Sequence, residues 1–427
     1  MNHQMKRTNL GEGVYYAEIT DPKFKHNQVS MNFILPLQKE TASENAIIPF
    51  LLRKGCLSCP DFSALNARLE ELYGATINVD VLKYNAYQIL SMTILCLDNR
   101  YALEGEDLVG ECARLITDMV LEPNFGDDGL FSETDLELER RYLIDSIEAE
   151  INEKRAYAIA QCIQHMCKGE PPAVRRCGYV EDAERITTES AKAAWERMIR
   201  RSRVEIIFAG CGDPRPIREL MTQRFGVLER EPIPCQFSRM GTMVGEVKDI
   251  VEQMDISQSK LVMGMRCASA DSVETENAVR FFTAMYGMTP FSKLFLNVRE
   301  KLGLCYYCAA RFDLSTNLLL VDSGIEADNM SAARDEIMRQ LSVMREGGFD
   351  EKEYHNTLLL MENSVHNISD NLGQLEGWYL SQIMRDRDVS PEQDVENLRS
   401  VTREQIISAA KGVSLDTVYF LTTREGA

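Results

Sequence analysis

Two stretches of the chain repeat one pattern of apolar positions. In SALNARLEELYGAT, residues 63–76, Leu65, Leu69 and Leu72 stand at the spacing that favours an amphipathic helix. ENAVRFFTAMYGMT, residues 276–289, has apolar residues at the same spacing, and both stretches end in Tyr-Gly followed by a Thr. We expect Gly74 and Gly287 to end their helices in the left-handed conformation.

Two further matches follow in the same order along the chain. FSETDL, residues 131–136, pairs with FDEKEY, residues 349–354, and ITTE, residues 186–189, pairs with VTRE, residues 401–404. The second pair predicts a threonine N-cap for each helix that follows. The three offsets are 213, 218 and 215 residues, so the chain is predicted to contain two copies of one unit.

Both halves also contain runs rich in β-forming residues, and these runs are grouped rather than strictly alternating with the helical patterns. The predicted strands are residues 14–19, 29–37, 87–96, 204–210, 261–267, 317–325 and 417–422, and the predicted helices include about 105–120, 133–165, 333–346 and 351–382. Because strands and helices are grouped, we expect α+β units with a mixed or antiparallel sheet. The predicted boundaries are 1–228 for the first repeat, 229–246 for a linker with two prolines and two glycines, and 247–427 for the second repeat.

Composition narrows the class of protein. The chain has 427 residues, 44% of them hydrophobic and 26% charged, as in ordinary globular proteins. A formal net charge of −19 argues against nucleic acid as a partner, and no segment approaches the length of a membrane-spanning helix. The N-terminal residues show no signal-peptide pattern, and the twelve cysteines have no framework spacing. These features predict a cytoplasmic protein with reduced thiols.

The most specific motif lies in the second repeat. SKLFLNVREKLGLCYY, residues 292–307, resembles the second-repeat signature of the pitrilysin/insulinase-type zinc metallopeptidases, which include the subunits of mitochondrial processing peptidase. The matching positions are Ser292, Leu294, Arg299, Glu300, Gly303, Leu304 and Tyr306. The resemblance implies two tandem homologous α/β repeats of the processing-peptidase fold, each with helices on one face of its sheet.

The zinc motif of that family is missing from the first repeat. Active members carry H-x-x-E-H, in which two histidines one helical turn apart hold zinc and the glutamate activates water. In AIIPFLLRKGC, residues 46–56, these places fall on Ala46, Pro49 and Phe50. The place of the third ligand, a glutamate, falls on Ser146, although Glu148 is nearby. We therefore expect no metal in this chain, and we expect Pro49 in the first turn of its helix.

Other metal or nucleophile sites are weaker predictions. The five histidines, at positions 3, 26, 165, 355 and 366, are too dispersed to share one ion. A tight turn at Cys56 and Cys59 leaves a metal or redox role open, whereas Cys305 and Cys308 lie in a predicted strand, where residues three apart point to opposite faces. Cys211, in GCGD, has no histidine nearby in sequence to activate it.

The resemblance implies a function for the two retained residues. In active members, the arginine and tyrosine that match Arg299 and Tyr306 hydrogen-bond the substrate backbone near the scissile bond. The chain is therefore predicted to lack activity alone and to support a zinc-bearing homologous subunit, in a hetero- or homodimer that binds and processes peptides. The alternatives are a stand-alone peptide-binding module and a structural subunit of a larger complex.

Overall fold

The computed structural model describes residues 4–235, 244–268, 270 and 272–423. Within them, the strands are β1 Lys6–Gly11, β2 Val14–Thr20, β3 His26–Pro36, β4 Thr76–Tyr84, β5 Tyr87–Leu97, β6 Arg203–Gly210, β7 Lys248–Met254, β8 Ser259–Cys267, β9 Cys305–Asp313, β10 Leu318–Ile325 and β11 Val413–Thr423. The α-helices are α1 Lys39–Leu52, α2 Phe62–Glu71, α3 Leu108–Leu121, α4 Glu133–Ala149, α5 Lys154–Met166, α6 Val180–Ala183, α7 Thr188–Arg201, α8 Arg215–Gly226, α9 Val273–Thr283, α10 Met330–Arg345, α11 Glu351–Ser369, α12 Leu372–Ile383, α13 Pro391–Arg399 and α14 Arg403–Lys411. Two π-helical segments follow α9, at Ala284–Met288 and Phe295–Lys301.

The two sheets share one topology. The strand orders are β1-β2-β6-β3-β5-β4 and β7-β11-β8-β10-β9. In each sheet one pair is parallel, β2 with β6 and β7 with β11, and the remaining pairs are antiparallel. Without β1, the first order matches the second strand for strand. The predicted α+β fold with two repeated units and mixed sheets is confirmed.

The chain forms two compact units that are discontinuous in sequence. Unit 1 consists of Met1–Glu148, Val174–Phe237 and Ile368–Ser390, and unit 2 consists of Ala149–Ala173, Ser238–Asn367 and Pro391–Ala427. The predicted ranges 1–228 and 247–427 describe the repeats in the sequence and stay a prediction. They differ from the compact units, because each unit also contains a segment from the other range. Residues 236–243 of the predicted linker, 229–246, lie outside the described residues.

Each unit has its main apolar core on one face of its sheet. In unit 1 this core includes α1, α3, α7 and α8, and in unit 2 it includes α9, α10 and α14. The opposite face of each sheet carries a smaller apolar cluster, built with α12 in unit 1 and with α5 in unit 2. The helices therefore lie mainly on one face, with a single helix from the exchanged segment on the other.

Several helix ends follow their sequence signals, and others do not. Thr187 and Thr402 form capping boxes at the starts of α7 and α14, which confirms the predicted N-caps. The single helices expected at 133–165 and 351–382 are each two helices, α4 with α5 and α11 with α12. The Asn371 side chain accepts a hydrogen bond from Gln374 N at 3.0 Å and begins α12.

The Tyr-Gly signals of the two repeats have different structures. Gly74 has φ +74°, so it takes the predicted left-handed conformation after α2. Gly287 does not, because the chain continues past α9 as the π-helical segment Ala284–Met288. A Cβ at Gly287 would stand 2.7 Å from Ala310 N, so this glycine is needed for close packing against β9 rather than for a turn.

Candidate functional site

Helix α1 holds three of the four positions where zinc-site residues were expected. Ala46 is fully buried in the unit 1 core, and Phe50, one turn later, is partly buried against the same core. Pro49 is also buried, but it lies near the end of α1 rather than in its first turn, because the helix begins at Lys39. The expectation for Pro49 was wrong: packing on all sides stabilises α1 despite a proline in its interior.

Phe50 and Ser146 line the same cavity, which has a volume of about 150 Å³. Ser146 comes from α4, and the wall is mostly apolar; it includes Phe50, Val81, Tyr142, Leu143 and Cys177, with Asp80, Glu139 and Arg176 as charged residues. The structure thus brings together one histidine position and the third-ligand position, with an aromatic ring and a hydroxyl in place of ligands. Ala46 and Pro49 lie in the core behind Phe50.

An ion pair occupies this region. Glu139 is 5% exposed, and its Oε1 lies 2.5 Å from Lys54 Nζ. Lys54 follows the end of α1, so a lysine neutralises the buried carboxylate that precedes the third-ligand position by two helical turns. Among the described residues, no group of three or more His, Cys, Asp or Glu side chains is arranged to hold a metal ion.

Cys56 and Cys59 form the tight turn that the sequence predicts. Their backbones exchange two hydrogen bonds of 2.9 Å, and both thiols are free. Burial and the neighbouring Cys56 raise the pKa of the Cys59 thiol. Gly55 allows this turn, since a Cβ there would meet Cys59 O at 2.4 Å. The pair is therefore packed in the core as a structural turn.

The opposite-face prediction for Cys305 and Cys308 is wrong. The ladder between β9 and β10 shifts register here, with Cys305 opposite Ile325, Tyr307 opposite Gly324 and Cys308 opposite Ser323. Tyr306 is the extra residue of this β-bulge, and the bulge turns both cysteines toward the unit 2 core.

Arg299 and Tyr306 are both exposed to solvent. Tyr306 is 75% exposed at the bulge of β9, the last strand in the sheet order. Arg299 lies in the segment Phe295–Lys301, its side chain 40% exposed, with its guanidinium 4.7 Å from the centre of the Phe295 ring. Its Nε is 3.5 Å from Glu300 Oε1, a long and solvent-exposed pairing.

The loop between these two residues is fixed by its backbone. Gly303 N donates to Arg299 O at 3.1 Å, and Leu304 N donates to Val298 O at 3.0 Å. Gly303 has φ +60°, a conformation that glycine adopts without strain. The two side chains therefore project from a backbone segment that is fixed by its own hydrogen bonds.

Cys211 is not an activated nucleophile. Burial and the neighbouring Asp98 raise the pKa of its thiol to about 11. Asn27 Oδ1 accepts hydrogen bonds from Cys211 N at 2.9 Å and Gly212 N at 2.7 Å, so the GCGD segment is a structural turn.

Comparisons with known proteins find similarity to M16 peptidases. A family model described as the peptidase M16 inactive domain matches residues 185–359. A curated relative from Bacillus subtilis (strain 168), the "Probable inactive metalloprotease YmfF", is 28% identical over 405 residues, 95% of each chain. Over nearly its whole length the chain is similar to M16, or pitrilysin-type, peptidases that are described as inactive.

Several solved structures share the fold. A conserved protein from Enterococcus faecalis V583 superposes with a TM-score of 0.90 at 24% identity, covering 99% of this chain and all of that one. A peptidase M16 inactive domain from Pseudomonas fluorescens gives a TM-score of 0.78 at 14% identity, covering 98% of each chain. No described helix of this chain is both long and apolar enough to cross a bilayer.

The Lys54–Glu139 ion pair and the bulge at Tyr306 were missed by the sequence reasoning. Lys54 lies four residues after Phe50, so helical spacing could have placed the two side chains on one face. The contact with Glu139 in α4 is a tertiary contact, which spacing along the chain does not predict. The bulge had no sequence signal, because CYYCAARF alternates no more clearly than other strands.

Proposed function

We propose that this M16 homologue is the arginine- and tyrosine-bearing partner of a zinc-bearing peptidase subunit, and that it binds the backbone of peptides processed by the pair. The observation that carries the proposal is the exposure of Tyr306 on a bulge of β9, the strand at the end of its sheet. A tyrosine retained only for packing would be buried in the sheet, and this one is 75% exposed.

The chemistry of the two side chains suits a peptide backbone. A guanidinium stays charged and offers several donors in a fixed geometry, and a phenol hydroxyl adds one more donor. Both complement a carbonyl oxygen that gains negative charge in a transition state. The zinc and its water would belong to the partner subunit, since the positions Ala46, Pro49, Phe50 and Ser146 supply no set of ligands.

The test is a cleavage assay with purified H-x-x-E-H homologues, using a quenched fluorescent peptide. We expect the mixture to cleave faster than either protein alone. Arg299→Ala should lower kcat of the mixture by about 100-fold, as for other transition-state donors. Tyr306→Phe, which removes only the hydroxyl, should lower kcat with little change in KM.

Arg339→Ala is the matched control for the arginine variant. Arg339 is 57% exposed in unit 2 and pairs with Glu336 on its own helix, so it has the same charge and similar exposure. Unchanged activity of this control, with the loss in Arg299→Ala, supports the proposal. Equal activity of all variants in a mixture that cleaves would show that the catalytic-support role is wrong.

A second candidate, a stand-alone peptide-binding module, is favoured by the cavity at Phe50. Asp80 and Val81, on its wall, belong to β4, the last strand of the unit 1 sheet, which an extended peptide can join by strand addition. One backbone acceptor is already used, since Arg176 Nη1 donates to Val81 O at 3.1 Å. Peptide binding by this chain alone, lost in Tyr142→Ala and kept in Arg299→Ala, would favour this candidate over the first.

A further inference from the structure

Cys305 and Cys308 face the same side of β9 at a spacing that suits a disulfide. They lie opposite Ile325 and Ser323, two residues apart on β10, so their Cα separation is about 6.7 Å by the rise of a strand. Disulfides join residues whose Cα atoms are about 4.4–6.8 Å apart. Without the bulge at Tyr306, residues three apart would be roughly 10 Å apart and on opposite faces.

The interaction between the two thiols affects them in opposite directions. Hydrogen bonding with Cys308 lowers the pKa of the Cys305 thiol, whereas hydrogen bonding with Cys305 and burial raise the pKa of the Cys308 thiol. The hydroxyl of Ser323 and the charge of Arg299 further favour a thiolate at Cys305. Cys305 is partly exposed and Cys308 is buried, the arrangement of an attacking thiol and a resolving thiol.

The other close thiol pairs lack this combination. Cys56 and Cys59 are both buried, and burial raises the pKa of Cys59. Cys96 and Cys112 are 1% and 0% exposed, and a hydrogen bond with Cys112 raises the pKa of Cys96. Neither pair presents a stabilised thiolate to solvent.

We propose that Cys305 and Cys308 are a redox-active pair that closes to a disulfide when a peroxide is the oxidant. The Cys305 thiolate attacks one oxygen of hydrogen peroxide, and the O–O bond breaks to leave a sulfenic acid and hydroxide. The Cys308 sulfur then attacks the sulfenic sulfur and expels its hydroxyl group. The protons of the two thiols leave in two molecules of water, and the two electrons pass to the peroxide.

The disulfide would enclose Tyr306, since Tyr306 and Tyr307 are the two residues between the cysteines. Closure draws the Cys305 and Cys308 Cβ atoms together and fixes the bulge that directs Tyr306 into solvent. A consequence for peptide processing rests on the proposed function of Tyr306. The formation of the disulfide itself does not depend on that proposed function.

Trypsin isolates the pair for the test. Cleavage after Lys301 and Arg311 gives the peptide LGLCYYCAAR with both cysteines, and cleavage after Lys54 and Arg68 gives GCLSCPDFSALNAR with the control pair. Folded protein is treated with stoichiometric hydrogen peroxide, alkylated with iodoacetamide under denaturing conditions and digested. The masses of the peptides are then measured by mass spectrometry. In the first peptide we expect a disulfide, seen as the loss of two hydrogens and the absence of alkylation. The disulfide should form about tenfold faster there than in the control peptide, in which both cysteines should stay reduced and become alkylated.

Cys308→Ser provides the second measurement. Without a resolving thiol, the same treatment should leave a sulfenic acid at Cys305 that dimedone traps, and dithiothreitol should reverse the wild-type product. Two alkylated cysteines in the first peptide, or equal oxidation of both peptides, would overturn the proposal.

The link to Tyr306 has its own readout in the cleavage assay. If oxidation closes the disulfide and changes cleavage by the mixture, and dithiothreitol restores it, the pair controls the proposed site. If the disulfide forms and cleavage is unchanged, the control of Tyr306 is wrong. If no mixture cleaves peptides, the proposed function fails, and the mass measurement still decides whether the pair is redox-active.

Discussion

At the scale of single residues, the region where zinc ligands were expected contains a buried carboxylate whose charge is balanced by a lysine. Glu139 is almost fully buried, and a buried carboxylate is costly unless it is paired and hydrogen-bonded. Lys54 Nζ, 2.5 Å away, supplies the positive charge. Phe50 fills apolar space where a histidine would need a partner for its ring nitrogens. The Glu139 carboxylate therefore has a cationic partner from the chain itself.

Lys54→Met should destabilise the protein by about 2 kcal/mol, because it leaves the Glu139 carboxylate buried without its cation. Urea denaturation, followed by circular dichroism, measures the free energy of unfolding. The double variant Lys54→Met/Glu139→Leu should recover most of the loss, since two apolar side chains leave no charge to desolvate. A single variant as stable as the wild type would show that the ion pair contributes nothing here.

The residues of the site were only partly predictable from sequence. The motif SKLFLNVREKLGLCYY pointed to Arg299 and Tyr306, and both prove to be exposed, but the role of either residue stays a prediction. The shared face of Cys305 and Cys308 was not predictable, because one inserted residue in a ladder inverts the face on which the next side chain stands. The conformation of Gly287 was not predictable either, since the same Tyr-Gly pair ends a helix at Gly74 and continues one at Gly287.

At the scale of elements, α12 has a polar contact within an apolar interface. Leu375, Tyr379 and Ile383 belong to the apolar cluster on the second face of the unit 1 sheet. Between them, Glu376 Oε1 accepts hydrogen bonds from Ser30 Oγ at 2.8 Å and Asn32 Nδ2 at 3.1 Å, both on β3. Burial raises the pKa of the Glu376 carboxyl, because these two neutral donors do not offset the loss of water.

The docking of α12 should therefore weaken as the pH rises. A carboxyl whose pKa is raised by folding contributes stability that is fully present below its unfolded pKa of about 4.5 and is lost as the pH rises through the folded pKa. Glu376→Gln keeps an acceptor oxygen and cannot ionise. We expect it to raise the free energy of unfolding by about 1 kcal/mol at pH 8 and to leave it nearly unchanged at pH 4.5.

Urea denaturation of both proteins at the two pH values gives the difference directly. Glu229→Gln is the control, since Glu229 is 95% exposed and its substitution should give no pH-dependent difference. If Glu376→Gln shows the same small effect at pH 4.5 and pH 8, the carboxylate is solvated in the folded state and the reasoning from burial is wrong.

Element boundaries show where the sequence signals fail. The N-cap threonines were read correctly because a capping box is local, formed by residues three apart. The start of α1 was placed too late, because Pro49 is a strong local signal against a helix interior and tertiary packing overrides it. The breaks between α4 and α5 and between α11 and α12 were missed, since apolar spacing continues across both.

At the scale of the whole molecule, repetition in sequence and compactness in space do not coincide. The offsets near 215 residues predict two similar sheets, and the structure has them, strand for strand. Yet unit 1 contains Ile368–Ser390 and unit 2 contains Ala149–Ala173. The similarity between the repeats does not predict this exchange of segments. The exchanged helices, α5 and α12, have equivalent positions in the two repeats, and each belongs to the compact unit of the other repeat.

The exchange predicts that neither repeat folds alone. A fragment of residues 1–228 lacks α12, so Ile19, Ile34 and Ile207 on the second face of its sheet would be exposed to water. A fragment of residues 247–427 lacks α5, which would expose Val262, Leu320 and Tyr419. At about 25 cal/mol per Å² of apolar area, losing such a face removes several kcal/mol, comparable to the whole stability of a domain.

We expect residues 1–228 alone to bind the dye ANS and to unfold without a cooperative transition in circular dichroism. Joining residues 368–390 to the end of this fragment through a flexible Gly/Ser linker should restore cooperative unfolding, because the apolar face is covered again. A linked fragment with Leu375→Asp and Ile383→Asp is the matched control, since it has the same length and no apolar face on its helix. Cooperative unfolding of residues 1–228 without the added segment would contradict the prediction and would make the contiguous repeat, rather than the discontinuous unit, the unit of folding.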